Sequence, residues 1–515
     1  MDHLQQHCDP SDQNCRFRRS LVSIINLATP TASEQSQINY NTVPSSWVCG
    51  DAIAERLTLN YARMLDMPPD GEELDYLVWT ALDVGGVYGN PSVSPDAEHL
   101  AIAALVVEGV ASDIATANWD GLIERAIVEL TGGDGSLRVV VQQADLRKPV
   151  SKSTLYKFHG CAVLARADPN HYREHIVGRA SQITGFAALN QNAAVKNRLT
   201  DIATTKPTLM MGMSAQDANI QGVFAQASAN MTWPWPNDPP ACVFAEDALG
   251  ADQVGLLRHV YNTSYTTVTA GEIRASALLR VFGRTLLPAL WCEVLRRKLN
   301  ELVKRNVSLP AQEQALLEVG LRELRDRAAA ACLPNQQEAF VRQALRFARR
   351  ALSLFRRGEE PPASGPLYEA LTSSESAGIA TDPSIPNSGL PELAIGIGMF
   401  GLHARSGTWN VRVPDPASAK PGSLRVATSA TSADVFFAAN AEVAITMFRD
   451  GILADSDPVV LVHSHSIPAR FTRSPRVSPG RVGTPRLKEV SITALLEETQ
   501  IVSVALARLR EELAL

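Results

Sequence analysis

The stretch Ile114-Ala-Thr-Ala-Asn-Trp-Asp-Gly-Leu-Ile-Glu124 constrains this chain more than any other segment. A short apolar run ends in Asn-x-Asp, and a helical pattern begins at once. The order strand, loop, helix sets an amide and a carboxylate at the carboxyl end of a strand. Open α/β sheets bind ligands at that edge. Two later segments share the design. Leu155-Tyr-Lys-Phe-His-Gly160 carries a His-Gly pair at a predicted strand end, and Leu209-Met-Met-Gly-Met-Ser-Ala-Gln-Asp-Ala-Asn219 is an apolar strand broken by Gly212 and Ser214. Each motif also has a purely structural reading. Asn118 suits a helix N-cap, His159 suits a satisfied strand end, and Ser214 with Asp217 suits a local turn.

Taken in order, the three motifs resemble the sirtuin-like (silent-information-regulator-like) family in its bacterial antiviral branch. Asn118, Asp120 and Glu124 match the family's first motif. Lys157, His159 and Gly160 match the second, and Gly212, Ser214, Asp217, Asn219 and Ile220 the third. His99–Leu105 looks like the family's lead-in helix, and Val43-Pro-Ser-Ser-Trp47 followed by Ile53–Leu57 looks like its early helix start. The resemblance implies a Rossmann-like, mostly parallel α/β sheet. It also implies cleavage of NAD, the substrate, to nicotinamide and ADP-ribose as an effector of bacterial antiviral defence. In that reading Asn118 orients the ribose or water, His159 acts as base and Asp120 holds the nicotinamide end. Such residue types suit an oxocarbenium-like transition state, in which an amide and a carboxylate meet developing charge and a neutral histidine takes a proton. Thr116, Gly160, Gly212, Ser214 and Asp217 are the implied nucleotide contacts. Implied partners are a second copy of the chain or a partner protein such as an ATPase.

The family's opening Gly-Ala-Gly-x-Ser phosphate loop has no counterpart in glycine, since none precedes Gly50. The predicted first strand is Leu21–Ile25, followed by Asn26–Ser33, where Ala28 and Ser33 would stand at the pyrophosphate and Pro30 removes a donor. The alternative reading is therefore a catalytically impaired nucleotide-binding or sensing module. The seven cysteines contain no Cys-x-x-Cys pair, so the zinc ribbon of the deacetylase branch is not expected.

A chain of 515 residues suggests about three domains at ~150 residues each. Residues 1–19 read as a polar, flexible arm, 20–265 as the sirtuin-like domain, 266–365 as a helical domain of about three helices with a linker, and 366–515 as a C-terminal α/β region of unknown type. Within the helical domain, Ala277, Leu278, Val281 and Phe282 read as the start of its first helix. The net charge of −6 carries no global nucleic-acid signal. The odd cysteine count and irregular spacing argue against a secreted disulfide scaffold. With no signal pattern and no apolar run of membrane-spanning length, the expectation is a cytoplasmic protein without a membrane partner. His463-Ser-His465 lacks the carboxylate or cysteine that would complete a metal set. Asp434, Asn440 and Glu442 lack the Glu-x-Lys partner of a nuclease.

Residues 466–488 hold five arginines, one lysine, four prolines and no acid, which suits an irregular segment or a phosphate-backbone contact. If it is a contact, Arg473→Ala, Arg476→Ala and Arg481→Ala together should weaken nucleic-acid binding and flatten its salt dependence, because released counterions drive such binding. No binding of the parent chain to DNA or RNA at low salt would return the loop to a plain solvated segment.

Overall fold

Short apolar runs alternating with helical patterns build α/β units in the computed structural model. It describes all residues except 10, 13, 150, 151, 187, 188, 232, 234, 414–419, 421, 456, 466–486 and 514–515. The basic segment thus lies outside the described residues, save for Leu487 and Lys488. The chain forms two compact units. The first comprises Met1–Ser94, Asp113–Leu122 and Arg138–Phe282; the second comprises Pro95–Ser112, Ile123–Leu137 and Gly283–Leu515. Among the described residues, no helix is long and apolar enough to cross a membrane.

In the first unit, β1 (Asp113–Thr116), β2 (Leu137–Val140) and β3 (Ser153–Lys157) form a sheet in the order β1-β3-β2. β1 and β3 are parallel, with Thr116 opposite Lys157. All five residues of β3 are buried. β4 (Thr208–Met211), β5 (Cys242–Ala245) and β6 (Leu278–Leu279) form a second parallel sheet in the order β4-β5-β6. Ala241–Ala245 is thus a strand as expected, but in a sheet separate from β1.

Three local expectations change. Leu21–Ile25 is no strand but part of a helix, Arg16–Leu27. Leu21, Ile24, Ile25 and Ala28 are buried while Ser23 and Asn26 are exposed, and that three-and-four spacing is helical. Residues 277–282 do not begin a long helix. Leu278 and Leu279 instead pair with Phe244 and Ala245, and the helix starts at Gly283. The first residues include a helix, Asp2–Gln6, whose Leu4 is buried in one cluster with Leu21, Ile24 and Ile25.

The second unit contains three long helices, Gly283–Lys304, Ala311–Ala330 and Gln337–Arg357. Its sheet runs β11-β10-β9-β8-β7, from β7 (Asn410–Arg412), β8 (Leu424–Ala427), β9 (Ser432–Ala438), β10 (Val459–His463) and β11 (Lys488–Ser491). β9, β10 and β11 are parallel; β8 and β7 are antiparallel. The glycine-broken run Leu393–Phe400 lies inside a helix, Leu390–Arg405, where Gly398 and Gly401 face Gly320 of the Ala311–Ala330 helix. A Cβ at Gly320 or Gly401 would overlap the facing backbone, so only glycine permits that crossing. The expected C-terminal helix breaks into Ile492–Glu498 and Val502–Leu513, with Thr499 extended between them.

The helix Ala97–Val107, which precedes β1 in the chain, belongs to the second unit. Glu108 at its end is fully buried with Lys298 at 2.6 Å. Lys298 also donates to the carbonyls of Glu108 and Thr372, and Glu108 accepts from Tyr368 Oη and Leu371 N. Removing one member of a buried pair strands the other charge, at a cost of about 3–5 kcal/mol. Lys298→Met should cost that much, read as a lowered urea midpoint for the transition of the second unit. A shift below about 1 kcal/mol would mean that Glu108 finds another proton or partner.

Candidate functional site

Parallel pairing brings the first two motifs together. Thr116 and Lys157 are register partners, so Asn118 and His159 each stand two residues beyond the last paired position of adjacent strands. Thr116 Oγ1 accepts from Asn118 N at 3.0 Å, turning the chain out of β1. Asn118 is exposed, whereas Trp119 packs inward, edge-on to Tyr88 at 5.4 Å between ring centroids. A Cβ at Gly178 would overlap the Trp119 ring, and Ala162 N donates to Trp119 O. Asp120 Oδ1 accepts from Leu122 N at 3.0 Å, at the start of the Leu122–Thr131 helix. Asp120 therefore does part of the capping that the structural reading assigned to Asn118.

Lys157 is 1% exposed and donates through Nζ to Asp120 O, which ties the end of β3 to the Asn118–Asp120 loop. Gly160 has φ +97°, and a Cβ there would stand 2.5 Å from His175 O. Glycine is required by both the backbone conformation and the close approach. His159 is 4% exposed, edge-on to Phe158 and Phe186. Its Nε2 lies 2.9 Å from Asp217 Oδ2. The approach is close, yet off the direction of a ring N–H bond, since Nε2 has no hydrogen-bond partner among the described residues.

Asp217 does two things at once. It is the N-cap of the Ala218–Ser228 helix, with Oδ1 accepting from Asn219 N at 2.8 Å, while Oδ2 faces His159. Burial alone would raise its carboxyl. The His159 ring and the N–H groups of Asn219 and Ile220 outweigh that and hold it below the ordinary value of 3.8. Asn219 is 5% exposed, and its Nδ2 also lacks a partner among the described residues. His159 Nε2 and Asn219 Nδ2 are thus two buried polar atoms without a hydrogen-bond partner among the described residues. Ser214 and Gly212 are exposed at the end of β4, with Gly212 at φ +61° and Ala215 at +59°.

Asn118, Asp120, Lys157, His159 and Gly160 therefore meet at the ends of β1 and β3, and Asp217 joins them through His159. Ala28 and Ser33 lie on other elements. Ala28 is buried at the end of the Arg16–Leu27 helix, its carbonyl accepting from Arg56 Nε at 2.8 Å. Ser33 is exposed within the helix Ala32–Gln35, which a Thr31–Glu34 capping box closes on itself. Arg56 is bound to Glu34 at 2.9 Å, so the cation beside that turn is already engaged.

Sequence reasoning missed Trp119 as the loop's anchor and Asp217 as the partner of His159. It also missed Tyr61, whose hydroxyl is pushed up by burial and by the charge of Asp217. The aromatic residue inside Asn-x-Asp was the available signal for Trp119. An open groove of about 380 Å³ lies at the carboxyl end of β2, beside Gln142, Arg147, Glu174 and His175. It shares the backbone of His175 with the Gly160 turn.

Fold and edge define a Rossmann-like α/β unit with an amide, a histidine and a histidine-facing carboxylate at the ends of its parallel strands. Residues 112–258 match the family model described as a SIR2-like domain. SIR2-like domains use NAD. No curated protein matches the chain. Among the described residues, no group of three His, Cys, Asp or Glu side chains could hold a metal ion.

A carboxyl held below its unfolded value contributes stability that is complete above that value and is lost as the pH falls through the lowered one. Asp217→Asn keeps a capping side chain but removes the charge. It should lower the melting temperature at neutral pH, and the gap to the parent should close in acid below 3.8. A gap independent of pH would reduce Asp217 to a neutral cap.

Proposed function

We propose that the SIR2-like domain hydrolyses NAD to nicotinamide and ADP-ribose. The observation that carries this reading is the β1–β3 register, which sets the exposed Asn118 beside the buried His159. In the reaction, water supplies a hydroxyl to the anomeric carbon of the ribose, neutral nicotinamide leaves, and one proton is released. The Asn118 amide has no side-chain partner among the described residues and orients the ribose or the water. His159 takes the proton, and Asp217 at 2.9 Å stabilises the resulting imidazolium. Asp120 spends one carboxylate oxygen on Leu122 N, so its part at the nicotinamide end is also to hold the loop that carries Asn118. Gly160, Gly212 and Ser214 supply open backbone and hydroxyl groups for the nucleotide, with Thr116 fixing the turn.

A second reading has its own support. The helix Arg16–Leu27 stands where a strand and phosphate loop were expected, which favours a nucleotide-sensing module without turnover. The role in bacterial antiviral defence, and assembly with a second copy or with an ATPase, follow from the family likeness. Restraint of an NAD-consuming activity would then fall to such partners or to the second unit.

Nicotinamide release from NAD by the purified chain separates the two readings. Asn118→Ala and His159→Ala should each lower turnover by roughly 10²–10⁴-fold; Asn118→Ala should leave the melting curve unchanged, while the buried His159→Ala should still fold but melt lower. NAD binding in calorimetry with no nicotinamide released would favour the sensing module, and full activity in His159→Ala would remove it from the mechanism.

A further inference from the structure

Cys49, Cys161 and Cys242 are buried, where a thiol packs as a small apolar group. Cys8 and Cys15 are different. Both are half-buried, and both thiols turn toward the carboxyl end of the Asp2–Gln6 helix. Cys8 Sγ donates to Leu4 O at 3.2 Å, and Cys15 Sγ donates to His7 O at 3.9 Å. Leu4 and His7 are three apart and share one face of the helical turn, so both thiols are held against the same turn by its carbonyls.

The two thiols are not equivalent. Cys15 is the N-cap residue of the Arg16–Leu27 helix. Burial opposes its ionisation, but backbone N–H groups, including those of Phe17 and Arg18, outweigh it and bring the thiol down. A helix N-terminus favours a thiolate in this way. Cys8 moves the other way, up to about 11, through burial and then the neighbouring Cys15. One sulfur is disposed to attack, and the other stays protonated beside it.

We propose that Cys8 and Cys15 form a reversible disulfide, closed by a peroxide and reopened by a dithiol reductant. The Cys15 thiolate attacks a peroxide oxygen; the O–O bond breaks, hydroxide or alkoxide leaves, and Cys15 becomes a sulfenic acid. The Cys8 thiol then displaces the hydroxyl from that sulfur, releasing water and forming the S–S bond. Reduction by a dithiol runs through thiol–disulfide exchange and returns both thiols. The bond joins the Asp2–Gln6 helix to the start of the Arg16–Leu27 helix. Leu4, Leu21, Ile24 and Ile25 of those helices pack in the cluster against which Trp119 rests, so the staple lies in the layer that supports the Asn118 loop.

The test uses the full chain, reduced and then exposed to hydrogen peroxide, with free thiols alkylated before peptide mapping. The expected product is a Cys8–Cys15 linked peptide, lighter by two hydrogens and lost on treatment with dithiothreitol. Oxidised parent should melt above reduced parent, and Cys8→Ser should abolish that difference. In Cys8→Ser, dimedone should trap a sulfenic acid at Cys15; in Cys15→Ser, Cys8 should remain alkylatable. Full alkylation of both cysteines after peroxide would overturn the proposal, as would linkage of either one to a different cysteine. Sulfenic acid at Cys8 rather than Cys15 would overturn the assigned order of attack.

Discussion

Parallel pairing of β1 with β3 is the constraint from which the rest follows. Parallel neighbours cannot be joined by a tight turn and need a long crossover, here one that contains the Leu122–Thr131 helix and β2. Both strands then end on the same edge, so the two loops that carry the candidate side chains leave the sheet side by side. The register decides which side chains meet. With Thr116 opposite Lys157, Asn118 and His159 each follow two residues beyond that pair. A slip of one residue would turn every side chain to the other face.

Two buried polar clusters show what separates a structural network from a site. Around Glu108 the groups are mutually satisfied. Lys298 reaches two carbonyls and a carboxylate, and Glu108 takes a hydroxyl and a backbone N–H as well. Burying charge without such partners is costly, and here the partners are supplied within the fold. Around Asp217 the balance is incomplete. His159 Nε2 approaches the carboxylate without forming a hydrogen bond, and Asn219 Nδ2 has none among the described residues. The close approach of His159 to the Asp217 carboxylate is what marks this cluster.

The chain crosses between its two units on either side of β1, since the helix Ala97–Val107 and residues from Ile123 onward belong to the second. In sequence, the segment that carries Asn118 is thus flanked on both sides by segments of the second unit. Arg342 illustrates this, binding Glu129 and the Pro95 carbonyl inside the second unit.

Local pattern alone determined the strand–loop–helix at Ile114–Glu124, the strand before His159, the strand before Gly212 and the three long helices of the second unit. In each case hydrophobic periodicity and a following turn residue agree with the packing. It also carried the identity of Asn118, His159 and Asp217, because amide, imidazole and carboxylate are chemically distinctive at strand ends. What it could not decide depends on distant partners. Leu21–Ile25 is apolar enough for a strand, and only burial of Leu21, Ile24 and Ile25 on one face made it a helix. Leu278–Leu279 became a strand because the edge of β5 was there to pair with it. The role of Asp217 was hidden for the same reason. Its capping of the following helix is local and legible, but its contact with His159 joins residues 58 positions apart, since 217 − 159 = 58. Only the tertiary structure, by closing that distance, turned a helix cap into the partner of a histidine.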